Sequence, residues 1–273
     1  MRIFIVGLGL IGASYAEKLT EKGHHIFGYD QDPITLQKAV DSKIIDSTSN
    51  LSIIGDVDMV IIALYPKETV AFIKKYKNIF HPNQTITDVC GVKQQLLNEI
   101  HTLLPKPTSY TSHHPMAGRE VSGFDAKNKD LFKGANFLMI TSPVANALGF
   151  KRLEEIANDL EFGNITKITA KEHDDFIAYT SQLTHVLATA LVQSGNPNAK
   201  AATGDSFKDL TRIANINATL WSELFLENTS ALLKSLETFI NELKLFKVFL
   251  EDQNREKIIT YLNQAKKRRE SYD

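Results

Sequence analysis

Three groups of residues have the types and spacing to do chemistry together. The first is Gly7-Leu-Gly9-Leu-Ile-Gly12, which follows an apolar, β-branched run and opens a helical pattern at Ala13, Ala16 and Leu19. Glycines at this spacing between a strand and a helix suit a dinucleotide: one permits a tight turn, one lets the backbone approach a pyrophosphate, and one lets the helix pack close to the strand. The free N–H groups of the helix start, here at Leu10 and Ile11, then face the phosphates. A second strand, His25 to Tyr29, ends in Asp30, at the distance of about 20 residues from the glycines that such a site needs for a ribose contact. A carboxylate there accepts hydrogen bonds from a ribose 2′-OH and repels a 2′-phosphate. Gln31 and Asp32 follow with no Arg to attract that phosphate, which favours NAD over NADP.

A dinucleotide site moves hydride, and removing hydride from an alcohol carbon requires an acceptor for the hydroxyl proton. His is the usual agent. The second group, His113-His114-Pro-Met-Ala-Gly118-Arg-Glu120, offers one. His114 is read in a loop after a strand, held extended by Pro115, with Gly118 leaving room for a ligand. Position at a crevice favours a catalytic role for His114 over a structural one, and its neighbour His113 must then point elsewhere. The third group is Arg212 in Phe207-Lys-Asp-Leu-Thr-Arg-Ile-Ala214. A planar, permanently charged fork suits a substrate carboxylate, and a structural pair with Asp209 or Glu223 is the competing reading. Between these groups, Ala178, Gln182, His185 and Thr189 share one helix face, which lines a cleft or faces solvent. One cysteine, and no His pair at ligand spacing beyond adjacent residues, predicts no metal.

The elements that must position these groups alternate. Apolar strands are expected at Ile3–Val6, His25–Tyr29, Asp58–Leu64, Gln84–Val89 and Asn136–Thr141, with Thr108–Ser112 leading into the histidines. Helices intervene, one capped by Asp32 with Pro33 at its first position, another opened by Tyr65-Pro66, and a last from about Asn146 to Leu160. Strand–helix alternation indicates a doubly wound, Rossmann-type α/β domain with a parallel sheet, and ligands bind such sheets at the carboxyl ends of the strands. Asp30, Leu64, Asp88 to Gly91 (with Cys90) and His113 to Gly118 all fall at such ends.

Near Thr169 the pattern changes. Thr169 and Glu172 form a capping box, and only helical periodicity follows. We therefore divide the chain into a dinucleotide-binding domain, 1–168, and an all-α substrate and dimerisation domain, 169–273. Phe176, Leu183, Val186, Leu187, Ala190 and Leu191 are expected on one side of its first helix. Another helix, about Ser230 to Leu250, carries Leu236, Leu243 and Leu250 in heptad register. So much Leu and Phe in about 100 residues predicts a homodimer, with a well-filled monomeric bundle as the other reading.

The 273 residues are 43% hydrophobic and 23% charged, with a formal net charge of −1, so no global field favours nucleic acid or a membrane surface. A single cysteine fits a reducing cytoplasm, and the apolar N-terminal run is explained by its glycines better than by a signal peptide.

Taken together, these stretches resemble the prephenate dehydrogenase family. The resemblance rests on Gly7 to Gly12, Asp88 to Lys93, His114-Pro-Met-Ala-Gly-Arg-Glu120, Glu172-His-Asp174, Leu183-Thr-His185, Phe207 to Ala214 and Trp221 to Asn228. It implies an NAD-dependent oxidative decarboxylation of prephenate to 4-hydroxyphenylpyruvate, in tyrosine biosynthesis. His114 would hydrogen-bond the ring hydroxyl as hydride leaves the same carbon, and CO2 would leave the opposite carbon. Arg212 would hold a substrate carboxylate, His185 would orient the substrate, and Glu120 would gate the cleft mouth opposite Arg212. Gly91 and Gln182 are counted among the substrate-contacting residues.

Two departures stand out. Many relatives carry a serine where this chain has Gly91, and Gln182 replaces a frequent histidine. Both leave prephenate and its amino counterpart, arogenate, open as substrates. A β-hydroxyacid dehydrogenase or imine reductase would place an inward-facing lysine on the helical domain, where this chain offers His185. A silent NAD sensor would have lost its crevice His or Arg.

Overall fold

The computed structural model describes residues 1–47, 50–105 and 108–272. Two compact units are present, Met1–Asn228 and Thr229–Asp273. In the first, strands β1 (Arg2–Val6), β2 (His25–Tyr29), β3 (Met59–Ile62) and β4 (Thr85–Asp88) form a parallel sheet in the order β2-β1-β3-β4. Helices α1 (Leu10–Glu21), α2 (Pro33–Asp41), α3 (Pro66–Tyr76) and α4 (Gln94–Leu103) follow these strands in turn. Ile3, Phe4, Ile5 and Val60 to Ile62 are fully buried, as strands covered on both faces must be.

A second sheet has the order β5-β6-β7, with β5 (His113–Pro115), β6 (Asn136–Thr141) and β7 (Asn164–Thr169); helix α5 (Ala147–Asp159) joins the last two. Here the structure corrects the sequence reading. The two histidines lie within a strand, not in a loop after one, because His113, His114 and Pro115 pair antiparallel with Met139, Leu138 and Phe137. The sheet is therefore not parallel throughout. Residues 108–112 contribute only an isolated bridge between Tyr110 and Ile86. Strand β7, parallel to β6, was not expected; it is an exposed, largely polar edge strand (Asn-Ile-Thr-Lys-Ile-Thr) and lacks the apolar run that marks a buried one.

Beyond Thr169 the chain is helical: α6 (Ala170–Ile177), α7 (Leu183–Gln193), α8 (Asp205–Thr211) and α9 (Ala218–Glu227) belong to the first unit. The predicted capping box of Thr169 and Glu172 opens α6. Between α6 and α7, Ala178–Gln182 is a π-helical turn. Its wider turn shifts the helical register, which is why Phe176 is exposed while Ile177 and Leu183 are buried. The expected single apolar side from Phe176 to Leu191 is thus broken.

The second unit is a hairpin of α10 (Thr229–Glu251) and α11 (Arg255–Glu270), closed by a Tyr261 hydroxyl donating to Glu242 at 2.9 Å. Leu243, Val248, Leu250, Ile259 and Leu262 on it are exposed. No helix among the described residues is long and apolar enough to cross a membrane.

Candidate active site

A cleft of about 740 Å³ in the first unit collects most of the residues singled out above. Its floor is the turn between β1 and α1. Gly7 sits at φ +87°, in the left-handed region that favours glycine, and a Cβ there would fall 2.5 Å from the Ala63 carbonyl oxygen. A Cβ on Gly12 would fall 1.9 Å from the Gly7 carbonyl oxygen, so only glycine lets α1 pack this close. Gly9 is different: a Cβ there would meet nothing within 4 Å. Its backbone borders open cleft, with Leu10 and Ile11 beside it. No side chain caps α1 and no acidic residue occupies its first turn, which leaves a helix start suited to an anion.

Asp30 does not line this cleft. It stands just past β2, where one carboxylate oxygen accepts the Leu8 N–H at 2.8 Å and the other accepts the Asp32 N–H at 2.9 Å. This carboxylate braces the glycine turn. A turn open at Gly9, closed to side chains at Gly7 and Gly12, and backed by Asp30 fits a dinucleotide. Leu64 and Cys90 form the adjoining wall. The Cys90 thiol bonds to the Leu64 carbonyl at 3.5 Å, and burial, then the nearby Asp88 carboxylate, push its pKa up, so it is an inert packing group.

Strand pleating decides what the two histidines do. His113 points into the core, between the Tyr15 hydroxyl at 2.9 Å and Thr87 Oγ1 at 2.7 Å, and stacks on Phe137. Burial and the Lys93 ammonium pull it down to about 3, so it is a neutral core residue. His114 points the other way and lines the cleft beside Gly91. Its pKa lies well below the usual imidazole range, through burial and then the neighbouring His173 and Lys93.

Beneath this strand, Lys93 and Asp88 form a fully buried ion pair at 2.6 Å, and the ammonium also donates to the His113 carbonyl at 2.7 Å. Burial alone would raise Asp88, but Lys93 outweighs it and holds the carboxyl below its ordinary value. The pair locks β4 to β5.

From the helical side, His185, Gln182 and Trp221 reach the cleft. His185 stacks on Trp221 with ring centroids 3.6 Å apart, and its Nδ1–H donates to the Ser181 carbonyl at 2.8 Å, which leaves Nε2 as an acceptor. Burial lowers its pKa. Gln182 lines the cleft wall, yet its amide works inside the fold: Nε2 donates to the Leu224 carbonyl and Oε1 accepts from Asn228, at 2.8 and 2.9 Å. Its amide thus ties the π turn to α9. Thr189 is not in the cleft wall; its hydroxyl donates back to the His185 carbonyl.

Arg212, in the turn after α8, is exposed and does not line the cleft. It forms an ion pair with Glu120, which does line it, instead of with Asp209 or Glu223. Glu223 accepts the Lys67 N–H at 2.7 Å. Burial favours a raised Glu120 pKa, but a backbone hydrogen bond and Arg212 leave it below the usual range.

Two functional candidates escaped the sequence reading, although their segment was noted. His173 and Asp174, both buried, stand directly behind His114. The signal was helical spacing: Asp174 extends the Ala178–Gln182–His185 face one turn back. Elsewhere, His24, Glu155 and Asp159 lie close enough to share a cation, but both His24 ring nitrogens are already engaged, by the N-terminal amine and by Asp159.

Known proteins resemble this chain over nearly its whole length. The family model for the prephenate dehydrogenase nucleotide-binding domain matches residues 15–162, and that for the prephenate dehydrogenase dimerization domain matches 169–264. The crystal structure of prephenate dehydrogenase from Aquifex aeolicus, in complex with hydroxyphenyl propionate and NAD+, superposes with a TM-score of 0.89 at 29% identity, covering 100% of this chain and 99% of that one. Synechocystis arogenate dehydrogenase gives a TM-score of 0.86 at 26% identity over 100% of both chains. Prephenate dehydrogenase of Bacillus subtilis is 26% identical over 97% of this chain and 74% of its own length. The chain belongs to the prephenate dehydrogenase family.

Proposed function

We propose that this protein is an NAD-dependent dehydrogenase that converts prephenate to 4-hydroxyphenylpyruvate by oxidative decarboxylation. The observation that carries this reading is His114, a neutral imidazole on the cleft wall that also contains Gly9 and the start of α1. NAD, when bound, supplies the hydride acceptor. Gly7, Gly9 and Gly12, with Leu10 and Ile11 at the helix start, would hold its phosphates, and Asp30 its ribose, with Leu64 and Cys90 alongside. His114 accepts the hydrogen bond of the ring hydroxyl and takes its proton as that carbon is oxidised. The bond to the ring carboxylate then breaks, CO2 leaves, the electron pair of that bond aromatises the ring, and the ring oxygen takes the proton back from His114. His185, through its free Nε2, orients the substrate from the helical side. Arg212 offers its guanidinium to a substrate carboxylate, in exchange for Glu120 at the mouth. Gly91 keeps the space beside His114 open, and Gln182 shapes the opposite wall.

The division at Thr169 into a dinucleotide-binding domain, 1–168, and a helical domain, 169–273, belongs to the same reading. So do a homodimer built through the exposed apolar residues of α10 and α11, and a cytoplasmic location. The test is to mix the protein with NAD and prephenate and follow NADH by absorbance, with arogenate in parallel. NADH from prephenate supports the proposal. NADH from arogenate alone moves the substrate to the amino compound of the same family. NADH from neither, with turnover of a simple hydroxyacid, overturns it.

A further inference from the structure

Behind His114 lies a chain of hydrogen bonds leading away from the cleft. His114 Nδ1 is 2.8 Å from His173 Nε2, and His173 Nδ1 is 2.7 Å from Asp174 Oδ1. Asp174 is fixed in turn: Oδ1 accepts the Lys93 N–H at 2.9 Å and Oδ2 the Gln94 N–H at 2.8 Å, both at the start of α4. A carboxylate is the complementary group for the positive end of a helix. Its backbone carbonyl accepts from Asn228 at 2.9 Å. His173 is fully buried and Asp174 almost so.

The direction of every proton in this chain follows from one end. A carboxylate only accepts, so His173 must carry its proton on Nδ1 and leave Nε2 as a lone pair. That lone pair accepts, so His114 must carry its proton on Nδ1. The His114 Nε2 is then an acceptor, the form needed to receive a hydroxyl proton. Burial keeps both rings neutral, so neither has a second N–H to reverse the order.

We propose that His173 and Asp174 are positioning residues that set the tautomer and orientation of His114, a role that rests on His114 being the proton acceptor of the reading above. The opposite side of the ring offers no substitute. Gly91 has no side chain, and a Cβ there would only reach 3.9 Å from His114 Cε1. The ring is held instead by the buried pair behind it. The pair also stabilises the imidazolium that forms when His114 takes the proton, since the Asp174 charge lies one ring away.

The test uses the full chain with NAD and prephenate, and two histidine variants. His173→Leu removes the acceptor for His114 Nδ1–H and should lower kcat about 10²-fold, with KM for prephenate and NAD affinity nearly unchanged. His173→Gln restores a carbonyl acceptor near the position of Nε2 and should recover to within about tenfold of wild type. Asp174→Asn turns an amide donor toward His173 Nδ1, reverses both tautomers, and should lower kcat about 10²–10⁴-fold. Ring-nitrogen NMR of isotope-labelled histidine reads the tautomer without any turnover: His114 should be protonated at Nδ1 in wild type and at Nε2 in Asp174→Asn. Should Asp174→Asn fail to fold, because Asp174 also caps α4, the His173 pair and the wild-type spectrum still decide. A wild-type His114 protonated at Nε2, or equal kcat values for His173→Leu and wild type, overturns the proposal. If wild type does not oxidise prephenate at all, the substrate reading fails, and the spectra alone decide the relay.

Discussion

Glu120 and Arg212 form an ion pair at the rim of the cleft, joining the segment after β5 to the turn after α8. The two charges neutralise each other at the rim; under the proposed function, a substrate carboxylate would take the place of Glu120 on the guanidinium. Arg212→Gln removes a charge-assisted bond and should weaken substrate binding by about 1.5–3 kcal/mol, seen as a raised KM with NAD affinity unchanged. Steady-state kinetics and an NAD titration check this. An unchanged KM assigns Arg212 to the rim alone.

The glycine turn makes two opposite predictions. Gly12→Ala places a methyl 1.9 Å from the Gly7 carbonyl oxygen and should cost about 1–3 kcal/mol of stability as well as NAD binding. Gly9→Ala meets no atom of the fold, so the melting temperature should stay the same while NAD affinity falls about tenfold or more. Thermal melts beside NAD titrations separate the two. A stable Gly12→Ala, or a Gly9→Ala that binds NAD as wild type does, contradicts the cradle.

Acid should unfold the protein through its buried imidazoles. His113 is held at about 3 by burial and Lys93, against an ordinary value of 6.5, and His114 and His173 are lowered too. Between these values the unfolded chain binds protons that the folded chain refuses. The imidazole contribution is therefore fully present above about pH 6.5 and is lost as pH drops toward about 3, by several kcal/mol in all. Urea midpoints at a series of pH values measure this; a midpoint that does not move between pH 7 and about 4 refutes it.

Leu243, Val248 and Leu250 on α10 leave an apolar surface that a second copy would cover. Sedimentation should give a dimer at micromolar concentration, and Leu243→Glu should shift it toward monomer. A wild-type monomer at that concentration contradicts the homodimer.

Much of this was legible in the sequence because the signals were local. Gly7, Gly9 and Gly12, the Asp32 and Thr169 caps and the fully apolar strands each state their own geometry over a few residues. The position of His114 at the cleft was legible as well, though its strand was not. Three residues in β5 gain their pairing from β6, more than 20 positions away, and no short window contains that partner. The edge strand β7 is polar, and the π turn at Ala178–Gln182 changes register without an unusual residue. The roles of His173 and Asp174 were hidden for a related reason. Both look like ordinary polar residues near a helix start until β5 and α4 close over them. Arg212 pairing with Glu120 likewise joins positions distant in the chain.

The central claim is that His114 takes the hydroxyl proton during NAD-dependent oxidation of prephenate. It is tested most directly by NADH formation from prephenate by wild type and by His114→Asn at saturating NAD. The account predicts turnover by wild type and a loss of about 10²–10⁴-fold in kcat in the variant, with NAD affinity retained. Full activity in His114→Asn would contradict it.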